Sequence, residues 1–253
     1  MSAQGSITFV PSVHFSPTHR RRVRETIRAE APDLVAVELD EFRFEHLDRD
    51  RRPTFDDVAR TFPSTPAAAT YGAITALQRT VVRLSGLDPE TTDMEAAIET
   101  AAELDTEIAL IDERIAKTLA ELSSRVSLET LPKLCLRMQR LGPQMQAAQI
   151  ESLTQPVDEI EHGDDVQPAI DQLRQLLPEV AEVMIDRRDR VMAQRLHRLR
   201  REGNDVVAVI GAGHHNGIQH ALEELESGDT DPDPEISLPI RSSTRTVVRI
   251  PIN

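Results

Sequence analysis

The sequence predicts an α/β fold: a mostly parallel central sheet flanked by helices, with a helical insertion and a C-terminal β-hairpin at the sheet edge. Short apolar runs alternate with segments of helical periodicity, which is the order expected of βαβ units. The run LVAVEL at 34–39 is nearly all apolar, as in a strand buried on both faces. A chain of 253 residues is long enough for one large domain or two small ones, and we expect one domain over 1–253.

The N-terminal segment predicts one βαβ unit. The strand SITFV at 6–10 should stop at Pro11. Ser16 with Pro17 should cap and begin a helix that runs to about Ala31, where Pro32-Asp33 terminates it. The apolar face of that helix is formed by Val23, Ile27 and Ala31. Because 34–39 is the second strand, the two strands should be parallel, with a right-handed crossover.

The central part of the chain continues the alternation. Residues 41–65 predict a short helix and a loop over one edge of the site, and 67–84 have helical periodicity. The elements expected next are a helix at 91–104, a strand at 108–111 and a helix at 112–122.

Residues 126–178 predict a helical insertion, because they are rich in leucine, methionine and glutamine and contain five prolines. A polar loop is expected at 155–168. The insertion has apolar stripes that include Leu131, Leu134, Leu141 and Met145. Such stripes favour a helical cap on the core, or alternatively a homodimer interface or a lid over the site.

The C-terminal part predicts the last βα step and the hairpin. A long helix at 179–201 is followed by the strand DVVAVI at 205–210, a turn GAGHHNG at 211–217 and a helix at 218–225. After a polar linker, SLPI at 237–240 and TVVRIPI at 246–252 should pair as two short edge strands.

Composition limits the partners. The formal net charge of −14 predicts no nucleic-acid partner and no membrane association, because anionic surfaces repel one another. Only two of the basic residues are lysines, which fits a salt-adapted cytoplasm or a GC-rich genome. No signal peptide is visible, so a cytoplasmic, soluble protein is expected. Cys135 is the sole cysteine and is interpreted as a buried small hydrophobe, which excludes a cysteine metal cluster.

Three predicted strands end in residues that can bind a metal. His14 follows the first strand, Glu38 and Asp40 end the second, and His214 follows the last. The carboxyl ends of parallel strands meet at one edge, where two imidazoles and a carboxylate would suit a divalent ion. Taken singly, Glu38 is more often a cap or ion-pair partner, and His14 an ordinary surface histidine.

The glycine-rich segment GAGHHNG has its own alternatives. Gly211 and Gly213 would allow a sharp turn after the strand, and at most one of His214 and His215 should be a ligand. The segment loosely resembles a dinucleotide loop, but only 36 residues follow Gly217. The other histidines lie in charged contexts and should face solvent: His19, His46, His162, His197 and His220.

Four stretches resemble the TraB/PrgY family, relatives of the GumN and TIKI proteins in a superfamily with the erythromycin esterase and ChaN-like folds. They are VPSVHFSPTHRRRVRETIRAEAPDLVAVELDEFRFEHL, AAIETAAELDTEIALIDERIAKTL, MIDRRDRVMAQRL and VVAVIGAGHHNGI. The family shows G-x-x-H, a strand ending in E-L-D, a Glu-Arg-Asp or Glu-Arg-Asn helix and a second G-x-x-H. This sequence resembles a short, soluble member.

The resemblance implies a metal-dependent peptidase site. His14 and His214 would be ligands of Zn, Mn or Co, and Glu38 a ligand or the general base. Arg188 would steady an oxyanion and Asp189 would orient Arg188, whereas no role is implied for Asp112. The residues expected around this site are Asp40, Asp112, Asp189, Gly211, Gly213 and His215.

Two substitutions separate this chain from the family pattern. Pro11 replaces the first glycine of G-x-x-H, and Arg187 replaces the glutamate before the family arginine. Two functions are therefore expected. One is a metal-dependent hydrolase that acts on peptides, and the alternative is a non-catalytic regulatory protein that binds a peptide or small-molecule signal.

Overall fold

The computed structural model describes residues 4–13, 16–48, 61, 92–125, 160, 162–234 and 236–242. The strands of this part are β1 Ile7–Ser12, β2 Leu34–Val37, β3 Glu107–Leu110, β4 Val206–Gly211 and β5 Ile240–Arg241. The helices are α1 Pro17–Glu30, α2 Glu41–Asp48, α3 Asp93–Glu103, α4 Ile115–Arg125, α5 Gly163–Leu176, α6 Pro178–Ala181, α7 Arg187–Arg201 and α8 Ala212–Ser227. A π-helical segment, Glu182–Asp186, joins α6 to α7.

The described strands form a five-stranded sheet in the order β1-β4-β2-β3-β5, which confirms the α/β fold class. The first four strands are parallel, and β5 is antiparallel to β3. Ser12 lies opposite Gly211, and Val37 lies opposite Val209. The carboxyl ends of β1, β4 and β2 therefore meet at one edge of the sheet.

Both faces of the sheet are covered, as a parallel sheet requires. Val35 and Val37 of β2 point into one apolar cluster, which contains Val23 and Ile27 of α1. Their neighbours Leu34 and Ala36 point into the opposite cluster, formed largely by α7 and α8. The all-apolar sequence of β2 follows directly from this double burial.

The first helix begins as the sequence predicts. Ser16 accepts a hydrogen bond from the backbone N–H of His19, and Pro17 is the first helical residue. The helix ends one residue earlier than expected, so Ala31 is not on its buried face: it is the exposed C-cap, with a φ of 43°.

The prediction that β1 stops at Pro11 is wrong, because the strand continues to Ser12. β1 is an edge strand, where a residue without an N–H is tolerated. The carbonyl of Pro11 accepts a hydrogen bond from the Arg22 side chain of α1.

The segment GAGHHNG is not a turn followed by a helix at 218. Helix α8 begins at Ala212, directly after β4, and Gly211 is its N-cap with a φ of −62°. Gly211 and Gly213 are absent from the residues with positive φ, so a sharp turn is not the reason for either glycine. At Gly211 the reason is the close approach of the Glu38 side chain.

Other boundaries also differ. Residues 163–168 belong to α5 instead of a loop, and α4 begins at Ile115 instead of Asp112. His19 and His197 are buried instead of solvent-facing, at 1% and 5% exposure. The remaining three histidines expected to face solvent are at least partly exposed.

Several expectations fall outside the described residues. They concern the helix at 67–84, Cys135, most of the insertion with its apolar stripes, and the strand at 246–252. β5 does lie at the sheet edge, as expected of SLPI. In the described ranges, none of the helices has both the length and the apolarity needed to cross a bilayer.

Candidate functional site

Glu38 and His214 meet at the carboxyl edge of the sheet. Glu38 follows β2, and its Oε2 accepts a hydrogen bond of 2.6 Å from the backbone N–H of Gly211 at the end of β4. A Cβ at Gly211 would lie 3.0 Å from that oxygen, so the glycine makes room for the carboxylate. His214 lies in the first turn of α8, with Nε2 at 3.3 Å from Glu38 Oε1. Both side chains are buried.

Asp189 holds the other side of the His214 ring. Its Oδ1 lies 2.6 Å from His214 Nδ1, so the pair is consistent with a proton on Nδ1 and a lone pair on Nε2. A Cβ at Gly217 would lie 1.9 Å from Asp189 Oδ2, so α8 approaches α7 this closely only with glycine there. Burial raises the pKa of Asp189, and the hydrogen bond to His214 opposes that shift. Asp189 therefore orients His214, and no hydrogen bond joins it to Arg188 among the described residues.

Arg188 is at the centre of the site. Its Nη2 donates to Glu38 Oε1 at 2.6 Å, and its Nη1 lies 3.1 Å from His214 Nε2. Nη1 also donates to the carbonyl of Met184 in the π-helical segment, at 3.1 Å. A guanidinium thus links the two residues that the sequence predicts as metal ligands.

Asp112 fixes Arg188 from behind. Its two oxygens accept hydrogen bonds from Arg188 Nε at 2.9 Å and Nη2 at 2.6 Å, and the second oxygen also binds Arg43. Burial alone would raise the pKa of Asp112, but the two guanidinium groups outweigh burial and hold that pKa well below its usual range. Asp40 in turn binds Arg43 and caps α4 through the N–H of Ile115. These contacts give Asp112 and Asp40 roles that sequence reasoning left open.

Arg187, which replaces the family glutamate, points away from this centre. Its Nη2 donates to Glu113 at 2.6 Å, and its Nη1 lies 3.7 Å from Glu121. Glu113 also pairs with Lys117. The positive charge of Arg187 is therefore neutralised locally, and Arg188 keeps its carboxylate partners.

An open cleft of about 590 Å³ leads to these groups. Glu38, Arg188 and His214 line its polar part. Its walls are apolar and come from Ile115, Leu119, Ile160, Val166, Ile170 and Met184. A cleft with apolar walls and a few convergent polar groups is typical of a ligand-binding site.

Sequence reasoning missed Ser12, which also lines the cleft at the end of β1. Its hydroxyl binds the carboxylate of Asp93, and both residues are buried. Asp93 is the first residue of α3 and lies 81 positions away in the chain, so no local pattern could reveal the pair.

The remaining predicted residues take different positions. His215 points away from Glu38: its ring contacts Phe9 edge-on at 5.5 Å, and its Nδ1 accepts from the N–H of Gly163 at 3.3 Å. Burial lowers the pKa of His215. Gly213 lines the cleft, and a Cβ there would touch Ile170 at 3.4 Å. His14 lies outside the described residues.

Two of the three predicted metal ligands are therefore adjacent. The His214–Asp189 pair is the arrangement by which proteins orient a histidine ligand, and Glu38 Oε1 offers an oxygen beside it. An imidazole nitrogen and a carboxylate oxygen are donor types that Zn²⁺ binds, but Arg188 contacts both of these atoms in the structure. Among the residues described, no group of three or more His, Cys, Asp or Glu side chains is arranged to hold a metal.

Comparison with known proteins places this site in a family. The model of the TraB/PrgY/gumN family matches residues 2–233. An uncharacterized protein of Methanocaldococcus jannaschii is 29% identical over 233 residues, an alignment that covers 88% of this chain and 55% of the relative. The chain thus spans about half the length of that relative.

Proposed function

Because the chain belongs to the TraB/PrgY/gumN family, we propose that it is a metal-dependent hydrolase of peptide-like substrates with apolar side chains. The observation that supports the proposal is the approach of His214 Nε2 to Glu38 Oε1 at 3.3 Å, at an open cleft. Asp189 supports it further, because its contact with Nδ1 directs the Nε2 lone pair of His214 towards Glu38 and Arg188.

In this proposal His14 and His214 would hold the ion, and Glu38 would be either a third ligand or the general base. A divalent metal would polarise a substrate carbonyl and lower the pKa of a water molecule towards neutrality. As the general base, Glu38 would accept the proton on Oε1 in place of its hydrogen bond from Arg188, because the backbone N–H of Gly211 anchors Oε2. Arg188 is suited to bind the developing oxyanion, because its contacts to Asp112 keep it in place when Glu38 is otherwise engaged.

The cleft walls suggest the substrate. Ile115, Leu119 and Met184 lie beside the polar centre and would remove the apolar side chain of a substrate from water. The charged groups at the centre are few and mutually paired. A peptide bond flanked by an apolar residue fits this distribution better than a sugar or a phosphate ester.

One observation favours the alternative, a non-catalytic protein that binds a peptide or small-molecule signal. Arg188 donates to the same Glu38 oxygen, and lies beside the same His214 nitrogen, that a metal would require. If that guanidinium stays in place, the cleft keeps its shape and binds a peptide carbonyl or carboxylate, without turnover.

The decisive experiment compares metal content by elemental mass spectrometry after purification without chelator. The variants are His14→Ala and His214→Ala, with His220→Ala as the matched control, since His220 is exposed in the same helix. The hydrolase proposal expects near-stoichiometric metal in the wild type and the control, and loss in both site variants.

Cleavage then separates the two functions. Short peptides with a central leucine or a central aspartate are incubated with metal-loaded protein, and the products are read by mass spectrometry. Leucine peptides should be cleaved, and Glu38→Gln should abolish cleavage. A wild type without metal even after reconstitution, which binds leucine peptides intact, would support the binding protein instead.

A further inference from the structure

Arg195 of α7 is a buried guanidinium without a carboxylate partner in the described part of the chain. It is 8% exposed, and its Nη1 donates to the backbone carbonyls of Leu110, at 3.3 Å, and Asp112. Its Nε is buried and has no hydrogen-bond partner among the described residues. The two carbonyls, at the end of β3 and just beyond it, satisfy only Nη1 of Arg195. The buried positive charge has no anion bonded to it in the described residues.

Arg195 lines a second cleft, of about 480 Å³, next to the end of β3. The other cations described in this cleft are each paired: Arg187 and Lys117 with Glu113, Arg190 with Glu182 and Arg114 with Glu41. Arg187 also has a buried Nε without a hydrogen-bond partner, but among these described cations Arg195 alone has no carboxylate within ion-pair distance. Burial lowers the pKa of Arg195, and the nearby carboxylates of Asp112 and Glu113 oppose that shift only in part.

The other residues that line the cleft indicate which kind of anion it would bind. Leu110, Val191, Ile236 and Pro239 give the cleft apolar surface. The carboxylates of Asp112 and Glu113 lie close enough to act on Arg195 and would repel a dianion more strongly than a monoanion. A single carboxylate on an apolar body fits both features better than a phosphate does.

We propose that this cleft binds a monocarboxylate with an apolar body, such as an N-acylated amino acid or the C-terminal residue of a peptide, with the carboxylate on Arg195. The site does not depend on a metal or on turnover at Glu38. It adjoins that centre through Asp112, whose carboxylate binds Arg188 and whose carbonyl binds Arg195. A ligand here would therefore contact the residue that orients Arg188.

The test uses N-acetyl-leucine, its neutral analogue N-acetyl-leucinamide and inorganic phosphate as probes in isothermal titration calorimetry on the full chain. The acid should bind at least about tenfold more tightly than the amide, because one charge-assisted hydrogen bond is lost with the amide. Arg195→Met should remove this preference. Arg190→Met is the matched control, on the same helix and cleft but exposed and paired with Glu182, and it should keep the preference.

Three results would overturn the proposal: equal binding of acid and amide, tighter binding of phosphate, or no binding of either leucine probe to the wild type. These comparisons need no variant, so a misfolded Arg195→Met would not affect them. Arg195→Lys, checked for folding by circular dichroism, keeps the charge but loses the planar donor edge and should bind the acid more weakly than the wild type.

Discussion

Asp112 and Arg188 form a buried bidentate pair, with Nε at 2.9 Å from one carboxylate oxygen and Nη2 at 2.6 Å from the other. Asp112 lies just beyond β3 and Arg188 lies in α7, so the pair joins the sheet edge to the helix that carries the site. Two parallel hydrogen bonds fix the plane of the guanidinium as well as its position. The orientation of Arg188 towards Glu38 and His214 follows from this contact.

Replacing Asp112 with asparagine should destabilise the fold strongly. The substitution keeps the shape but leaves the buried charge of Arg188 and the partly buried charge of Arg43 with less compensation. Breaking a buried pair costs about 3–5 kcal/mol. Urea unfolding measures the loss. Asp171→Asn, at a mostly exposed aspartate that pairs with Arg174, should cost less than about 1 kcal/mol. Equal losses in the two variants would contradict the central role of Asp112.

The same variant should change how stability depends on pH. Because the folded pKa of Asp112 is lowered, its contribution is present above the unfolded value of about 3.9 and is lost as the pH falls through the folded pKa. The difference in unfolding free energy between wild type and Asp112→Asn should therefore narrow below about pH 4. Denaturant titrations at several pH values test this, and a gap that stays constant down to pH 3 would refute it.

Gly217→Ala should be destabilising even though it lies inside a helix. The new Cβ would lie 1.9 Å from Asp189 Oδ2, so α7 and α8 would have to separate, at a cost of about 1–3 kcal/mol. Gly213→Ala in the same helix is the matched control. Its Cβ would meet only Ile170 at 3.4 Å, so helix propensity should make it neutral or stabilising, by up to about 1 kcal/mol. The opposite ranking in thermal unfolding would exclude close approach as the reason for Gly217.

If His214 binds a metal as proposed, Asp189→Asn should weaken that binding without removing a ligand. The neutral amide of asparagine replaces the carboxylate that accepts a hydrogen bond from His214 Nδ1. Loss of a carboxylate that orients a histidine ligand lowers metal affinity about 10–100-fold. Competition with a zinc indicator measures the affinity. Glu224→Gln removes the carboxylate beside the exposed His220 and should leave the affinity unchanged. Unaltered affinity in Asp189→Asn would separate this pair from metal binding.

Arg187→Gln should affect stability but not the site. Its partner Glu113 is 5% exposed, so the loss of this ion pair should cost about 1–3 kcal/mol. Arg187 has no described contact with Glu38 or His214, so metal content should match that of the wild type. A variant that folds but loses its metal would show that Arg187 supports the site despite its orientation.

Sequence reasoning succeeded where a local pattern determines the structure. The apolar run at 34–39 and the Ser16-Pro17 cap predicted β2 and the start of α1, and the strand-end argument brought Glu38 near His214. The turn predicted at GAGHHNG was wrong. Glycine indicates a turn when only the local sequence is known, without the segments that pack against it. Gly211 and Gly217 are required by Glu38 and Asp189, which come from distant parts of the chain.

The partners of α7 were equally hidden in the sequence. Arg187, Arg188 and Asp189 are adjacent, yet they contact Glu113, Asp112 and His214 respectively. Which direction each side chain takes depends on the rotation of α7, and the π-helical segment before it shifts that rotation. No periodicity in the sequence reveals this segment.

Pro11 reduces the number of free hydrogen-bonding groups on the outer side of β1, which is the edge strand of the described sheet. A strand at a sheet edge can recruit a strand from another molecule through its outward backbone groups. At Pro11 that edge offers no N–H, and the carbonyl is already bound by Arg22. The outward side is therefore closed to strand addition at the end of β1 next to the site. The proline that departs from the family pattern thus removes a backbone donor that edge-to-edge association of two molecules would use at this position.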